Sequence, residues 1–218
     1  MHLHGLCYYR SKSDTWTDKW RSVDFAARNL VKAIKHEDFK GYAQITAGSS
    51  SIRIDNTAHG RNRALVAVAG ALADKINQAG YQNAAVVPIP SSSHIDPNAT
   101  FTGRRIAEAI QAKNAAFVST PILYFNEPLP KSAGGGGTRN AHVIQKHLRL
   151  SDCQLPGSIV LLDDVCTTGG HLKAAARFLA QHGIQVNDAF VIGRTVWEQP
   201  GHMFNVTTEH IPTNELFD

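Results

Sequence analysis

The residues best suited to chemistry lie together in one short stretch, where two adjacent acids precede a loop of hydroxyl residues and glycines. The stretch is Asp163-Asp164-Val165-Cys166-Thr167-Thr168-Gly169-Gly170-His171. Its glycines let the main chain approach an anion closely, and its threonines add hydroxyl donors. The carboxylates repel a phosphate, so their expected partners are hydroxyl groups or a divalent cation. A sugar phosphate satisfies both halves of this pattern.

The elements on either side predict where this stretch lies in the fold. Residues Ile159 to Leu162 are all apolar, as in a strand buried on both faces of a parallel sheet. The amphipathic segment from Leu172 to Gln181 predicts the returning helix. The loop between them therefore lies at the carboxyl end of a strand, where unpaired backbone N–H groups bind anions. A Walker phosphate loop is excluded because no Gly-Lys-Ser/Thr ending is present.

This stretch resembles the phosphoribosyl pyrophosphate (PRPP) signature of type I phosphoribosyltransferases, in which an apolar strand, two acids and a Thr/Gly loop follow one another. The resemblance implies that Asp163 and Asp164 bind the ribose hydroxyls and hold Mg²⁺, directly or through PRPP. It also implies a set of 5′-phosphate contacts: Cys166, Thr167, Thr168, Gly169, Gly170 and His171. His171 departs from the family pattern, which usually has Thr or Ser there, and this removes one hydroxyl donor.

A second loop follows the apolar segment Ala84 to Pro90, which predicts another strand. The prolines at its end cannot donate to a central ladder, so the strand must stop near them. In type I phosphoribosyltransferases the equivalent loop takes the pyrophosphate, which implies a contact set of Pro90, Ser91, Ser92 and Ser93. The Pro-Ile-Pro form is similar to the ComF-like branch of the family.

Two further segments are expected near the same site. Glu127 to Asn140 contains four consecutive glycines and predicts a mobile lid whose cations, Lys131 and Arg139, close over the leaving group. A strand over Val186 to Ile192 is followed by Arg194 and Trp197, which are candidates for base binding.

Alternating strands and helices predict an α/β fold with a parallel, Rossmann-like sheet flanked by helices. The resemblance implies the type I phosphoribosyltransferase fold with an amino-terminal extension. We divide the chain into an extension or hood (1–60), a phosphoribosyltransferase core (61–200) and a carboxyl-terminal edge segment (201–218). Within these, the patterns predict a helix from Val23 to Ile34, a hairpin within 41–54, a helix from Arg63 to Ala79 and one strand from Phe117 to Phe125.

The composition is that of a globular protein, with 43% apolar residues among 218 and no apolar run as long as a membrane span. Three widely spaced cysteines argue against a disulfide framework. The amino terminus lacks a signal-peptide pattern, so we expect a cytoplasmic protein that does not associate with membranes. A formal charge of +4 suits either polyanionic small molecules or weak nucleic-acid contact.

The first functional hypothesis is transfer of the phosphoribosyl group of PRPP to a nitrogenous acceptor, most simply a nucleobase, with Mg²⁺ and release of pyrophosphate. A homodimer is expected because related enzymes often dimerise. The alternative is a catalytically weak regulator or effector in a nucleic-acid-containing assembly, suggested by a basic, aromatic arm that includes Arg10, Lys12, Lys19 and Arg21. A ComF-type role in DNA uptake is disfavoured because that group's amino-terminal cysteine cluster is absent.

Overall fold

A six-stranded, mostly parallel sheet lies at the centre of the computed structural model, which describes residues 1–10, 18–47, 50–130, 140–152 and 157–213. The strands are β1 (His2–Arg10), β2 (Tyr42–Ala47), β3 (Ser50–Asp55), β4 (Ala84–Pro88), β5 (Phe117–Ser119), β6 (Leu123–Phe125), β7 (Leu148–Leu150), β8 (Ile159–Cys166), β9 (Asp188–Val196) and β10 (Glu209–His210). The helices are α1 (Ser22–Ile34), α2 (Ala58–Gln78), α3 (Thr102–Lys113), α4 (Ala141–His147) and α5 (Gly170–Gln181).

The strand order of the central sheet is β10-β1-β9-β8-β4-β5. The pairs β1–β9, β9–β8, β8–β4 and β4–β5 are parallel, and only the short edge strand β10 runs antiparallel to its neighbour β1. The carboxyl ends of five strands therefore meet at one edge of the sheet, which we call the carboxyl edge. In open α/β sheets this edge is where ligands bind.

Alternation along the strands places a core on each face of the sheet. Val160 and Leu162 of β8 pack with residues of α1, α2 and α3, whereas Leu161 packs on the opposite face with residues of α4 and α5. Since successive side chains of a strand point to opposite faces, an uninterrupted apolar strand fills both cores. The predicted α/β fold with a parallel sheet flanked by helices is confirmed.

Most predicted elements are confirmed, with small shifts at their ends. The predicted helix over Val23 to Ile34 is α1, and the predicted hairpin is the antiparallel pair β2–β3. The helix α2 begins at Ala58, five residues before the predicted start, because the Thr57 hydroxyl accepts the Gly60 N–H at 3.0 Å and caps the first turn. Local capping thus extends a helix beyond its apolar pattern.

Two strand predictions are wrong. Residues 117–125 do not form one strand, because β5 ends at Ser119 and β6 belongs to a separate two-stranded sheet with β7. Pro121, which has no N–H to donate, lies between them. The sequence also placed no core strand before residue 61, whereas β1 lies inside the central sheet between β9 and β10. The division of the chain at residues 60 and 200 stays a prediction.

No helix in the part of the chain that the structure describes has the length and apolar character needed to cross a membrane.

Candidate functional site

The acid pair lies at the carboxyl edge, among the last four residues of β8, and both residues are half-buried. The backbone N–H of Asp164 donates to Asp163 Oδ1 at 2.8 Å. Asp164 Oδ2 lies 3.3 Å from Lys35 Nζ, so an ion pair joins β8 to the residue that caps the carboxyl end of α1. One backbone hydrogen bond and one ion pair with Lys35 therefore hold the two acids at the carboxyl edge.

The two acids and Lys35 form a coupled electrostatic group. Burial and the neighbouring Asp164 raise the pKa of Asp163 well above its usual range, although the Asp164 N–H and Lys35 oppose this. Burial alone lowers the pKa of Lys35, but Asp164 and Glu37 outweigh it and the net shift is upward. Lys35 therefore stays an ammonium ion, and it offsets part of the repulsion between the two carboxylates.

Replacing Asp163 by asparagine should stabilise the folded protein at neutral pH. The raised pKa means that the folded state binds a proton which the unfolded chain releases near pH 4, so wild-type stability falls as the pH rises above about 4. Asparagine keeps an oxygen for the Asp164 N–H and removes the titration. We expect its melting temperature to exceed that of wild type by about 2–4 °C at pH 7.5, and by much less at pH 4.

Thermal unfolding of Asp163→Asn followed by circular dichroism across this pH range is the measurement, with Asp74→Asn, an exposed carboxylate on α2, as the matched control. A gain in melting temperature that is the same at pH 4 and pH 7.5 contradicts this prediction.

The loop after the acids has the geometry of an anion-binding turn. Gly169 adopts φ +83°, a left-handed conformation that favours glycine, and α5 begins at the next residue. The Thr167 hydroxyl lies 3.1 Å from the Thr195 hydroxyl on β9, while Thr168 is exposed. The first turn of α5 adds N–H groups and the positive end of the helix dipole to the same place. The loop can therefore bind a phosphate largely through its backbone.

Neither of the two titratable side chains in this loop supplies a charge at neutral pH. Burial raises the pKa of the Cys166 thiol to about 12, so the thiol stays protonated and no thiolate nucleophile forms. Burial lowers the pKa of His171 more than Asp164 raises it, so the imidazole is neutral. At His171 the side chain can offer one N–H donor in place of the family's hydroxyl.

The predicted pyrophosphate loop follows β4, the neighbour of β8, at the same edge. The Ile89 N–H donates to the Leu162 carbonyl at 2.8 Å, so pairing with β8 continues to the start of the loop. The His94 N–H closes a turn by donating to the Ser91 carbonyl at 2.8 Å, and the Leu129 N–H donates to the Ser92 carbonyl at 2.7 Å. Ser91 and Ser93 are exposed. Backbone hydrogen bonds to the Ser91 and Ser92 carbonyls thus fix the loop, while Ser91 and Ser93 stay exposed.

The two predicted base-binding residues have different surroundings at the end of β9. The Trp197 side chain is 48% exposed at the carboxyl edge. The Arg194 guanidinium instead makes an ion pair with Glu209, with Nη2 and Oε2 2.9 Å apart, and donates to the Thr167 carbonyl. A role for either residue in base binding stays a prediction.

Three predicted cations, Lys131 and Arg139 of the glycine-rich segment and Lys12 of the amino-terminal arm, lie outside the described residues. Among the residues that the structure describes, no cluster of three or more His, Cys, Asp or Glu side chains is placed to hold a metal ion.

Lys35 and Tyr9 are residues near the acid pair that the sequence patterns did not single out. Tyr9 lies near the carboxyl end of β1, where burial, and more weakly Glu37 and Asp164, raise the pKa of its hydroxyl. Both residues come from the first 60 residues and approach the acid pair only because β1 pairs with β9 and α1 packs over the sheet. The one local signal for Lys35 was its position at the end of an amphipathic helix.

Comparisons with known proteins give a fold likeness and no family. No family model matches the chain, and no curated protein sequence matches it. Among solved structures, the chain is similar to an adenine phosphoribosyltransferase, at 14% identity and a TM-score of 0.42 over 76% of this chain and 89% of that one. Similarity at this level does not decide a substrate, so the functional assignment rests on the residues at the carboxyl edge.

Proposed function

We propose that this chain is a phosphoribosyltransferase-type protein that binds PRPP and transfers its phosphoribosyl group to a nitrogenous acceptor, with release of pyrophosphate. One observation carries the proposal: the acid pair lies near the end of β8, a turn with Gly169 in a left-handed conformation leads from it into α5, and a serine loop follows the adjacent parallel strand β4. PRPP matches these three features: its ribose hydroxyls would bind the acid pair, its 5′-phosphate the turn, and its pyrophosphate the serine loop.

The acid pair would bind the ribose. Asp163 and Asp164 accept hydrogen bonds from ring hydroxyls, and charge-assisted bonds of this kind are stronger than neutral ones. As the bond to pyrophosphate breaks, positive charge develops on the ribose, and two nearby carboxylates stabilise it more than they stabilise the ground state. Lys35 holds Asp164 in place at 3.3 Å, and its positive charge offsets part of the repulsion between the two carboxylates.

The two loops would hold the ends of PRPP. The turn from Cys166 to His171 takes the 5′-phosphate through backbone N–H groups and the threonine hydroxyls, and Pro90 to Ser93 take the pyrophosphate. Fixing both ends positions the anomeric carbon between them, which reduces the entropic cost of the transfer. Mg²⁺, bound mainly by PRPP near Asp163 and Asp164, would supply charge neutralisation of the departing pyrophosphate. Lys131 and Arg139 are proposed to add cations to the same group.

The acceptor would bind next to the end of β9. The exposed Trp197 ring supports a planar acceptor that stacks on it, and a nucleobase is the simplest compound with both a flat ring and a nucleophilic nitrogen. Assignment to the ComF-like branch rests only on Pro88-Ile89-Pro90 and is proposed on that basis.

The test is pyrophosphate release from PRPP with Mg²⁺ and a panel of purine and pyrimidine bases, followed by a coupled phosphate assay. The proposal predicts release that depends on one base or a small group of bases. PRPP binding measured by calorimetry, without release with any base, supports the regulatory alternative. The Arg10 and Arg28 guanidinium carbons lie 4.2 and 5.3 Å from the Trp20 ring centre, but Arg10 is only 6% exposed, so this arginine of the arm does not add to a basic surface for nucleic acid.

A further inference from the structure

Arg194 connects the phosphate-binding turn to the carboxyl-terminal segment. Its Nη1 donates to the Thr167 carbonyl and lies 3.4 Å from the Cys166 carbonyl oxygen. On its other side, Nε lies 3.1 Å from each carboxylate oxygen of Glu209. The arginine side chain is only 19% exposed. One guanidinium group therefore bridges two consecutive loop carbonyls and a carboxylate of β10.

The direction of those two carbonyls decides the direction of the loop's N–H groups. A trans peptide unit is planar, with its C=O and its N–H pointing in opposite directions. Arg194 draws the carbonyls of Cys166 and Thr167 towards itself, so the N–H groups of Thr167 and Thr168 must point away from it. These two N–H groups belong to the turn that begins the anion-binding loop.

The carboxyl-terminal segment holds Arg194 and the turn together. Glu209 satisfies the guanidinium, so its positive charge is largely neutralised and its main contribution is geometric. Ile211 packs on the turn, since a Cβ added at Gly169 would lie 3.3 Å from Ile211 Cδ1. Beyond it, the Thr213 carbonyl accepts from Arg177 Nε on α5 at 2.7 Å. The turn is thus clamped between β9, α5 and residues 209–213.

We propose that Arg194 is a positioning residue which, anchored by Glu209, orients the Thr167 and Thr168 N–H groups towards the 5′-phosphate of the ligand. This inference rests on the proposed function and assigns Arg194 to the sugar-phosphate end of the site instead of the base. Because the effect operates through the backbone, a residue of equal charge but different geometry cannot replace it. A lysine carries the charge without the planar fork that bridges two carbonyls and a carboxylate.

Calorimetric titration with two probes, ribose 5-phosphate and inorganic pyrophosphate, tests this assignment in wild type, Arg194→Lys and Glu209→Gln. We expect Arg194→Lys to weaken ribose 5-phosphate binding about tenfold, the equivalent of one lost charge-assisted hydrogen bond. Glu209→Gln should weaken it in the same direction by a smaller factor. Pyrophosphate affinity should change less than about twofold in both, because that loop follows a different strand. General loss of packing would weaken both probes.

Several outcomes overturn the inference. Unchanged ribose 5-phosphate affinity in Arg194→Lys overturns it, as does a change confined to the KM of the acceptor, which would restore a base-binding role. If Arg194→Lys does not fold, Glu209→Gln tests the inference instead. Its loss of ribose 5-phosphate affinity is then compared with its loss of pyrophosphate affinity. A wild-type protein that binds neither PRPP nor ribose 5-phosphate overturns the proposed function, and the inference with it. Wild-type binding without an effect of either variant overturns the inference alone.

Discussion

Replacement of Asp164 by asparagine is expected to lower kcat for PRPP-dependent pyrophosphate release by about 10²–10³-fold, with little change in melting temperature. In the proposed function the substitution removes an anion that faces the positive charge developing on the ribose, so the loss falls on the transition state. Its effect on folding is small because two contributions oppose each other. The variant loses the ion pair with Lys35, and it also loses the repulsion from Asp163. Initial rates at saturating PRPP and acceptor measure the effect.

Glu37→Gln is the matched control for Asp164→Asn, since Glu37 is an exposed acid close enough to influence Lys35. It should change kcat less than about twofold, because a solvated charge is screened. An Asp164→Asn variant that keeps full turnover contradicts the role given to the acid pair. A large loss of kcat in both variants would indicate that turnover depends on negative charge near Lys35 in general, and not on a specific contact of Asp164 with the ribose.

Replacement of Gly169 by alanine should weaken PRPP binding by about tenfold or more and also destabilise the fold. An alanine at φ +83° costs about 1–3 kcal/mol in backbone strain. Its Cβ would also lie 3.3 Å from Ile211 Cδ1, so either the turn or residues 209–213 must shift. In the proposed function the turn supplies the N–H groups that bind phosphate, so a shift of a few tenths of an ångström would weaken several of those hydrogen bonds together. Calorimetry with PRPP and thermal unfolding measure the two effects.

Gly183→Ala separates strain from function. Gly183 also adopts a positive φ, +76°, but a Cβ there meets nothing within 4 Å, and the residue follows α5 at the opposite end from the turn. Both variants should lose stability, and only Gly169→Ala should lose PRPP affinity. Equal PRPP affinity in the two variants contradicts the assignment of the turn as a phosphate site.

The central motif could be predicted from sequence because everything that defines it is local. Four apolar residues, two acids, a Gly-containing turn and an amphipathic helix are consecutive in the chain, and the strand, turn and helix form in that order. The same holds for β4 with its proline stop and for α1 with its apolar face. The predicted strand over 117–125 failed because apolar character continues past Pro121 while pairing with β4 does not.

The amino-acid sequence by itself determined that two acids, two threonines and two glycines follow an apolar strand, because such a pattern belongs to residue types and their spacing. Only the tertiary structure decided that β1 lies beside β9, that Lys35 contacts Asp164, and that Arg194 is held by Glu209. These contacts join segments far apart in the chain, such as His2 and its partner Asp188. Pairing of that kind depends on which surfaces can be buried against each other, and no local pattern of residues records it.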